Sequence, residues 1–77
     1  MLLPLTEMKA GEKGVISSLA GGMEFRHRVE RLGIRPAAAV EMISNNARGA
    51  CLVAVGETRV AVGFGMAEKI FVEVADG

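Results

Sequence analysis

The sequence predicts a mainly β fold, a small barrel of about five short strands with one α-helix across an opening. Ten glycines and two prolines divide the 77 residues into short pieces. Most of these pieces are rich in β-branched residues, and only one carries a helical repeat. A chain of this length is expected to form one domain, residues 1–77. Barrel closure would also remove exposed strand edges.

The predicted strands are short runs of β-branched and aliphatic residues between turn signals. They cover residues 15–19, 40–44, 52–55, 59–62 and 70–74. Gly11 and Gly14 mark a turn before the first of them, and residues 56–58 predict a tight hairpin. Residues 45–49 predict a loop, and residues 66–69 one helical turn.

The predicted helix covers about residues 22–32. Its apolar stripe is Phe25, Val29 and Leu32, spaced at i, i+4 and i+7. Gly33 follows the stripe at the place where a left-handed C-terminal cap is expected. The helix should therefore dock on the barrel through these three apolar side chains.

Composition narrows both the core and the class of function. Only three residues are aromatic, all Phe, so the core should be aliphatic. Nine basic and nine acidic residues cancel, whereas nucleic-acid-binding domains are usually strongly basic. The single Cys51 excludes an internal disulfide and a paired-cysteine zinc site, and it suits a reducing cytosol. No secretion signal or apolar membrane span is recognisable, so a cytoplasmic protein is expected.

Glu24 and His27 are the weak metal candidates. Their spacing of three places both on one helical face, as in carboxylate-bridged metal centres. Such centres need further ligands, and the chain has no second histidine. A solvated surface pair is the competing interpretation. Cys51 could join His27, but a cysteine in an aliphatic strand is more often a small core residue.

Four arginines form the other candidate site, a partner-binding surface. They are Arg26, Arg28, Arg31 and Arg35. Arginine makes bidentate contacts to carboxylates and is enriched at protein interfaces. Nucleic acid is disfavoured because aromatic stacking platforms are scarce and because Glu24 and Glu30 could pair with these arginines. No catalytic motif is present, so an enzyme is not expected.

Read as an ordered set of anchors, the chain resembles the ferrous iron transport protein A (FeoA) family. The anchors are residues 4–6, 11–14, 21–22, 26–29 and 32–36, followed by Val53, Val55, Gly56, residues 60–62, Ala67 and residues 70–72. No single motif among them is specific, but their order covers nearly the whole chain.

The resemblance implies an SH3-like barrel of five to six strands. It also implies a cytosolic accessory of the ferrous iron permease FeoB that acts by protein–protein interaction with the permease's GTP-binding part. Such a protein would sit at the inner face of the membrane through its partner, with no cofactor required, although iron or another transition metal could bind. A homo-oligomer is compatible with this assignment.

FeoA-like domains also form the C-terminal part of iron-dependent repressors. A metal-responsive regulator, binding iron directly or acting in transcription, is therefore the alternative. The chain lacks room for a DNA-binding helix-turn-helix, which favours the transport accessory. The family supplies no catalytic residues.

Two positions depart from the family pattern. Ala37 stands where family members often have glycine after Pro36. A turn with positive φ would cost Ala37 about 1 kcal/mol, whereas a type I turn would avoid that cost. The loop at residues 45–50 lacks the usual Gly-Pro pairing, so the shape of this loop is expected to differ.

Overall fold

The computed structural model describes residues 1–47 and 49–75. It contains six strands, β1 (Leu2–Pro4), β2 (Lys13–Leu19), β3 (Ala39–Asn45), β4 (Cys51–Val55), β5 (Thr58–Val62) and β6 (Ile70–Val74). The helices are α1 (Met23–Arg31) and the single turn α2 (Phe64–Ala67), and a 3-10 turn covers Leu5–Glu7. The mainly β prediction with one main helix is confirmed. No helix in the described part of the chain is long and apolar enough to cross a membrane.

The six strands form one sheet in the order β1-β6-β2-β3-β4-β5, and all neighbouring strands are antiparallel. Register shifts interrupt the β2–β6 ladder between Ile16 and Ser18, and the β3–β4 ladder between Met42 and Ser44. Such bulges increase twist and bend a sheet. The expected closure of the barrel is wrong, however, because β1 and β5 remain the two edges of the sheet and do not pair.

The core is aliphatic, as the composition predicts. Alternate residues of the last hairpin point inward, with Cys51, Val53 and Val55 buried on β4 and Val60 and Val62 buried on β5. No polar or charged residue is buried in the described part of the chain. The largest fully buried side chains are Leu5, Met8, Ile16, Ile34, Met42 and Ile70.

Helix α1 docks through a different set of side chains from the predicted one. Val29 is fully buried and Phe25 packs against the core, but Leu32 remains 37% exposed. The cause is the helix end: Gly33, with φ +94°, turns the chain, and the amide of Ile34 donates to the oxygen of Val29 over 3.1 Å. The amide of Gly33 also donates to the oxygen of Glu30, which completes a Schellman motif. Ile34 thereby takes the buried place expected for Leu32.

The chain then makes a type II turn at residues 35–38. The amide of Ala38 donates to the oxygen of Arg35 over 3.0 Å, with Pro36 second in the turn and Ala37 third. Ala37 has φ +76°, the value that usually requires glycine at this position. The strained alternative considered for Ala37 is therefore the one adopted, and the type I alternative is wrong.

Candidate functional site: an arginine surface at the end of helix α1

The arginines of helix α1 are exposed, as expected for its solvent face. Arg26, Arg28 and Arg31 lie on the helix, and Arg35 follows in the turn. Arg31 Nε donates to the main-chain oxygen of His27 over 3.4 Å, and Arg35 Nη2 donates to that of Glu30 over 3.3 Å. Both guanidinium groups thus lie beside carbonyl groups near the helix C-terminus, where the helix dipole favours positive charge.

Only two of the four arginines line the same hollow. Arg31 and Arg35 line an open hollow together with His27 and Glu30. Arg26 and Arg28 do not line this hollow. The structure therefore divides the predicted arginine set into a gathered pair and two separate charges.

A second concave region adjoins the hollow and runs between the end of α1 and strand β5. This groove has a volume of about 530 Å³. Its lining residues are Arg31, Leu32, Gly33, Arg35, Thr58, Arg59, Val60 and Ala61. Arg59 comes from β5 and joins the two arginines of the helix end, and the partly exposed Leu32 supplies apolar surface.

The groove arginines have no carboxylate partner among residues 1–47 and 49–75, because no aspartate or glutamate there lies within 4.0 Å of Arg31, Arg35 or Arg59. No salt bridge joins Glu24 or Glu30 to an arginine in the described residues, so the pairing that the sequence allows is not formed there. The positive charge of the groove is left available to an outside partner.

The metal candidates stand apart from other ligands. Glu24 and His27 are both exposed on α1, and no group of three or more His, Cys, Asp or Glu residues that could hold a metal occurs in the described residues. Two donors on an open helix do not make the closed donor set of a structural metal site. Metal binding at Glu24 and His27 stays a prediction.

Cys51 is a core residue, as the sequence interpretation preferred. Its side chain is 3% exposed, and its Sγ donates to the oxygen of Val62 over 3.7 Å. Burial raises the pKa of the Cys51 thiol. The thiolate is the reactive form of cysteine, so this environment opposes nucleophilic or ligand chemistry at Cys51.

Sequence reasoning missed Arg59. Arg59 lies in a predicted strand, where a single charged residue ordinarily marks the solvent-facing side of the strand. The available signal was its position directly after a tight hairpin, where alternation predicts an outward side chain. Its proximity to Arg31 and Arg35 depends on how the hairpin packs beside the helix end.

An incompletely closed six-stranded sheet with one docked helix and an arginine-lined groove defines a small SH3-like β domain with an exposed basic surface. The chain belongs to the FeoA domain family, whose model matches residues 3–74. This family is linked to ferrous iron transport. No curated protein matches the chain by sequence.

One solved structure agrees with this membership, and two others share the fold. An iron uptake regulatory protein (FeoA) is 31% identical, with a TM-score of 0.93 over 97% of this chain and 100% of that one. The FeoA of Stenotrophomonas maltophilia in complex with zinc, described as a prokaryotic SH3 domain protein, is 24% identical, with a TM-score of 0.78 over 92% and 89% of the two chains. A manganese-dependent transcriptional repressor shares the fold at 17% identity and a TM-score of 0.88, over 96% of this chain and 42% of the repressor.

Proposed function

We propose that this protein is a cytoplasmic accessory of ferrous iron uptake that binds the cytosolic GTP-binding part of the iron permease FeoB and regulates it. The observation that carries the proposal is family membership over residues 3–74. A match of 31% identity to an iron uptake regulatory protein, over essentially all of both chains, supports a regulatory role. Association with the membrane would follow from the permease partner.

The arginine surface supports a binding role through its chemistry. Arg31 ends α1 and Arg35 lies in the turn that follows, and Arg26 and Arg28 add exposed charge on the same helix. Guanidinium groups bind carboxylates in a planar, bidentate manner, which fixes the orientation of a partner. Exposed charges also accelerate association with an acidic surface.

The test is a calorimetric titration of the full chain against the permease's cytosolic domain, loaded in turn with GDP and with a non-hydrolysable GTP analogue. We expect saturable binding that weakens as salt increases, because exposed ion pairs are screened. The matched control is a variant in which Arg26, Arg28, Arg31 and Arg35 are all replaced by Gln, which keeps polarity and removes charge. Absence of binding in both nucleotide states at low salt would overturn the proposal.

Direct iron sensing is the second candidate function. It is favoured by one observation, the exposed pair of Glu24 and His27 on α1. Anaerobic Fe(II) titration with His27→Ala as the comparison separates the two functions. Saturable binding that the substitution abolishes would establish a metal-responsive regulator, and a titration without saturation would exclude this pair as an iron site.

A further inference from the structure

Strand β5 presents an open backbone edge beside the arginine groove. It is hydrogen-bonded only to β4, since it ends the strand order, and no other main-chain hydrogen bond involves residues 58–62 within the described chain. Val55 and Thr58 pair directly across the two-residue turn. In such a hairpin the residues that flank the turn are a hydrogen-bonded pair, and the pairs then alternate.

The alternation fixes which backbone groups face the open edge. Thr58, Val60 and Val62 bond inward to β4, so the N–H and C=O groups of Arg59 and Ala61 point outward. Both residues line the groove. An open edge of this kind is a template for an added strand.

The charges beside this edge select an acidic occupant. Arg31 and Arg35 lie on the helix side of the groove, Arg59 lies on the strand side, and no carboxylate lines the groove among the described residues. The five residues of β5 extend about 17 Å at a rise of about 3.4 Å per residue. This length accepts a short extended segment.

We propose that the groove binds an acidic, extended segment of a protein partner, which pairs as a seventh strand with β5 while its carboxylates contact Arg31, Arg35 and Arg59. Strand addition supplies affinity through main-chain hydrogen bonds, and the flanking side chains supply specificity. The proposal rests on the proposed function and deepens it, because it locates the surface that an accessory protein offers to its partner.

Other occupants fit the groove less well. A single-stranded nucleic acid needs aromatic stacking, and none of Phe25, Phe64 or Phe71 lines the groove. A second copy of the chain that paired through β5 would place two Arg59 side chains near each other on one sheet, which is unfavourable. An acidic peptide satisfies both the backbone edge and the arginines.

The first experiment uses a short soluble peptide of alternating valine and glutamate, with a valine–lysine peptide as the matched control. Binding is followed by amide NMR shifts and by hydrogen exchange of the intact chain. The expected result is that the glutamate peptide alone binds, and that the amides of Arg59 and Ala61 become protected from exchange. Protection elsewhere, or equal binding of the lysine peptide, would overturn the proposal. Tighter binding of oligothymidylate, or β5 protection by the chain's own dimerisation, would overturn it too.

Three variants separate the backbone contribution from the charge contribution. Ala61→Pro removes an outward N–H without breaking the ladder to β4, a position where an edge strand tolerates proline. Replacing Arg31, Arg35 and Arg59 by Gln removes the charge and leaves the edge intact. Each change should weaken peptide binding by about tenfold or more. Replacing Arg26 and Arg28 by Gln should change it by less than about twofold.

The same variants test the groove proposal separately from the proposed function. The proposal predicts that the permease's cytosolic domain loses more affinity for the variant at Arg31, Arg35 and Arg59 than for the variant at Arg26 and Arg28. If both variants still bound the permease at full strength, the groove proposal would be overturned and the proposed function would be unaffected. Peptide binding at β5 without any permease binding would support the groove and remove FeoB as the partner. If Ala61→Pro fails to fold, the charge variants alone decide.

Discussion

Ala37 should limit the stability of the protein, and Ala37→Gly should raise it. Ala37 has φ +76° at the third position of a type II turn. The turn cannot relax, because the amide of Ala37 donates to the oxygen of Ile16 over 2.8 Å and the amide of Ile16 donates to that of Ala38 over 2.9 Å. Strand β2 therefore holds the side chain in the left-handed region.

The size of the gain follows from two opposing contributions. A residue with a Cβ pays about 1–2 kcal/mol in the left-handed region. Relief of this strain by glycine is offset by about 0.4–1 kcal/mol, because glycine makes the unfolded chain more flexible and so lowers the free energy of unfolding. The Ala37 methyl group is exposed, so its removal creates no cavity. The net gain in the free energy of unfolding should be about 0.5–1 kcal/mol, or about 2–8 °C in Tm for a domain of this size.

Urea unfolding followed by circular dichroism, together with thermal melts, measures both quantities. The matched control is Ala39→Gly, an equally exposed position on β3 with ordinary φ. There glycine should lower the free energy of unfolding by about 0.5–1 kcal/mol. If Ala37→Gly were neutral or destabilising, or if both variants shifted stability in the same direction, the strain at Ala37 would not be real.

Three further predictions concern the packing of the sheet, the docking of α1 and the burial of Cys51. Gly14→Ala should destabilise the protein by about 1–3 kcal/mol, because the added Cβ would lie 2.6 Å from Val72 Cγ1 and 2.7 Å from the main-chain oxygen of Glu73. The control Gly65→Ala adds a Cβ in open space and should not destabilise the protein, so equal melting temperatures of the two variants would contradict the prediction. Ile34→Ala should cost about 2–5 kcal/mol in urea unfolding and Leu32→Ala under about 1 kcal/mol, and the reverse order would restore the predicted stripe. Burial raises the pKa of Cys51 above its ordinary value of 9.0 in the folded state, so the contribution of the neutral thiol to stability is complete below that pH and is lost as pH rises through the folded pKa. Cys51→Ala should therefore reduce the loss of stability at alkaline pH, and an unchanged alkaline stability profile would refute the raised pKa.

Much of the fold could be predicted because it depends on residues close together in the sequence. Glycine and proline positions, period-two alternation and one helical repeat located the helix and five of the six strands to within a few residues, whereas β1 (Leu2–Pro4) was not predicted. The Gly33 stop was predicted and is observed with φ +94°. These features depend on neighbours in the chain, and local sequence therefore specifies them.

The errors occurred where a residue's environment depends on distant parts of the chain. Leu32 fits the helical spacing, but the Schellman motif ends the helix and delivers Ile34 to the core instead. Barrel closure was expected as a remedy for open edges, yet β1 and β5 do not meet. Neither outcome is encoded by a periodicity.

The candidate site, too, has a part that the sequence predicts and a part that depends on distant residues. The sequence by itself determined an aliphatic, mainly β domain and an exposed arginine helix, because composition and spacing set burial and charge. Only the tertiary structure decided which arginines lie together. Arg59 lies 24 positions after Arg35 in the sequence, and the packing of the β4–β5 hairpin beside the end of α1 brings them to one groove. Sheet order, which no local pattern reports, made that groove and left β5 open beside it.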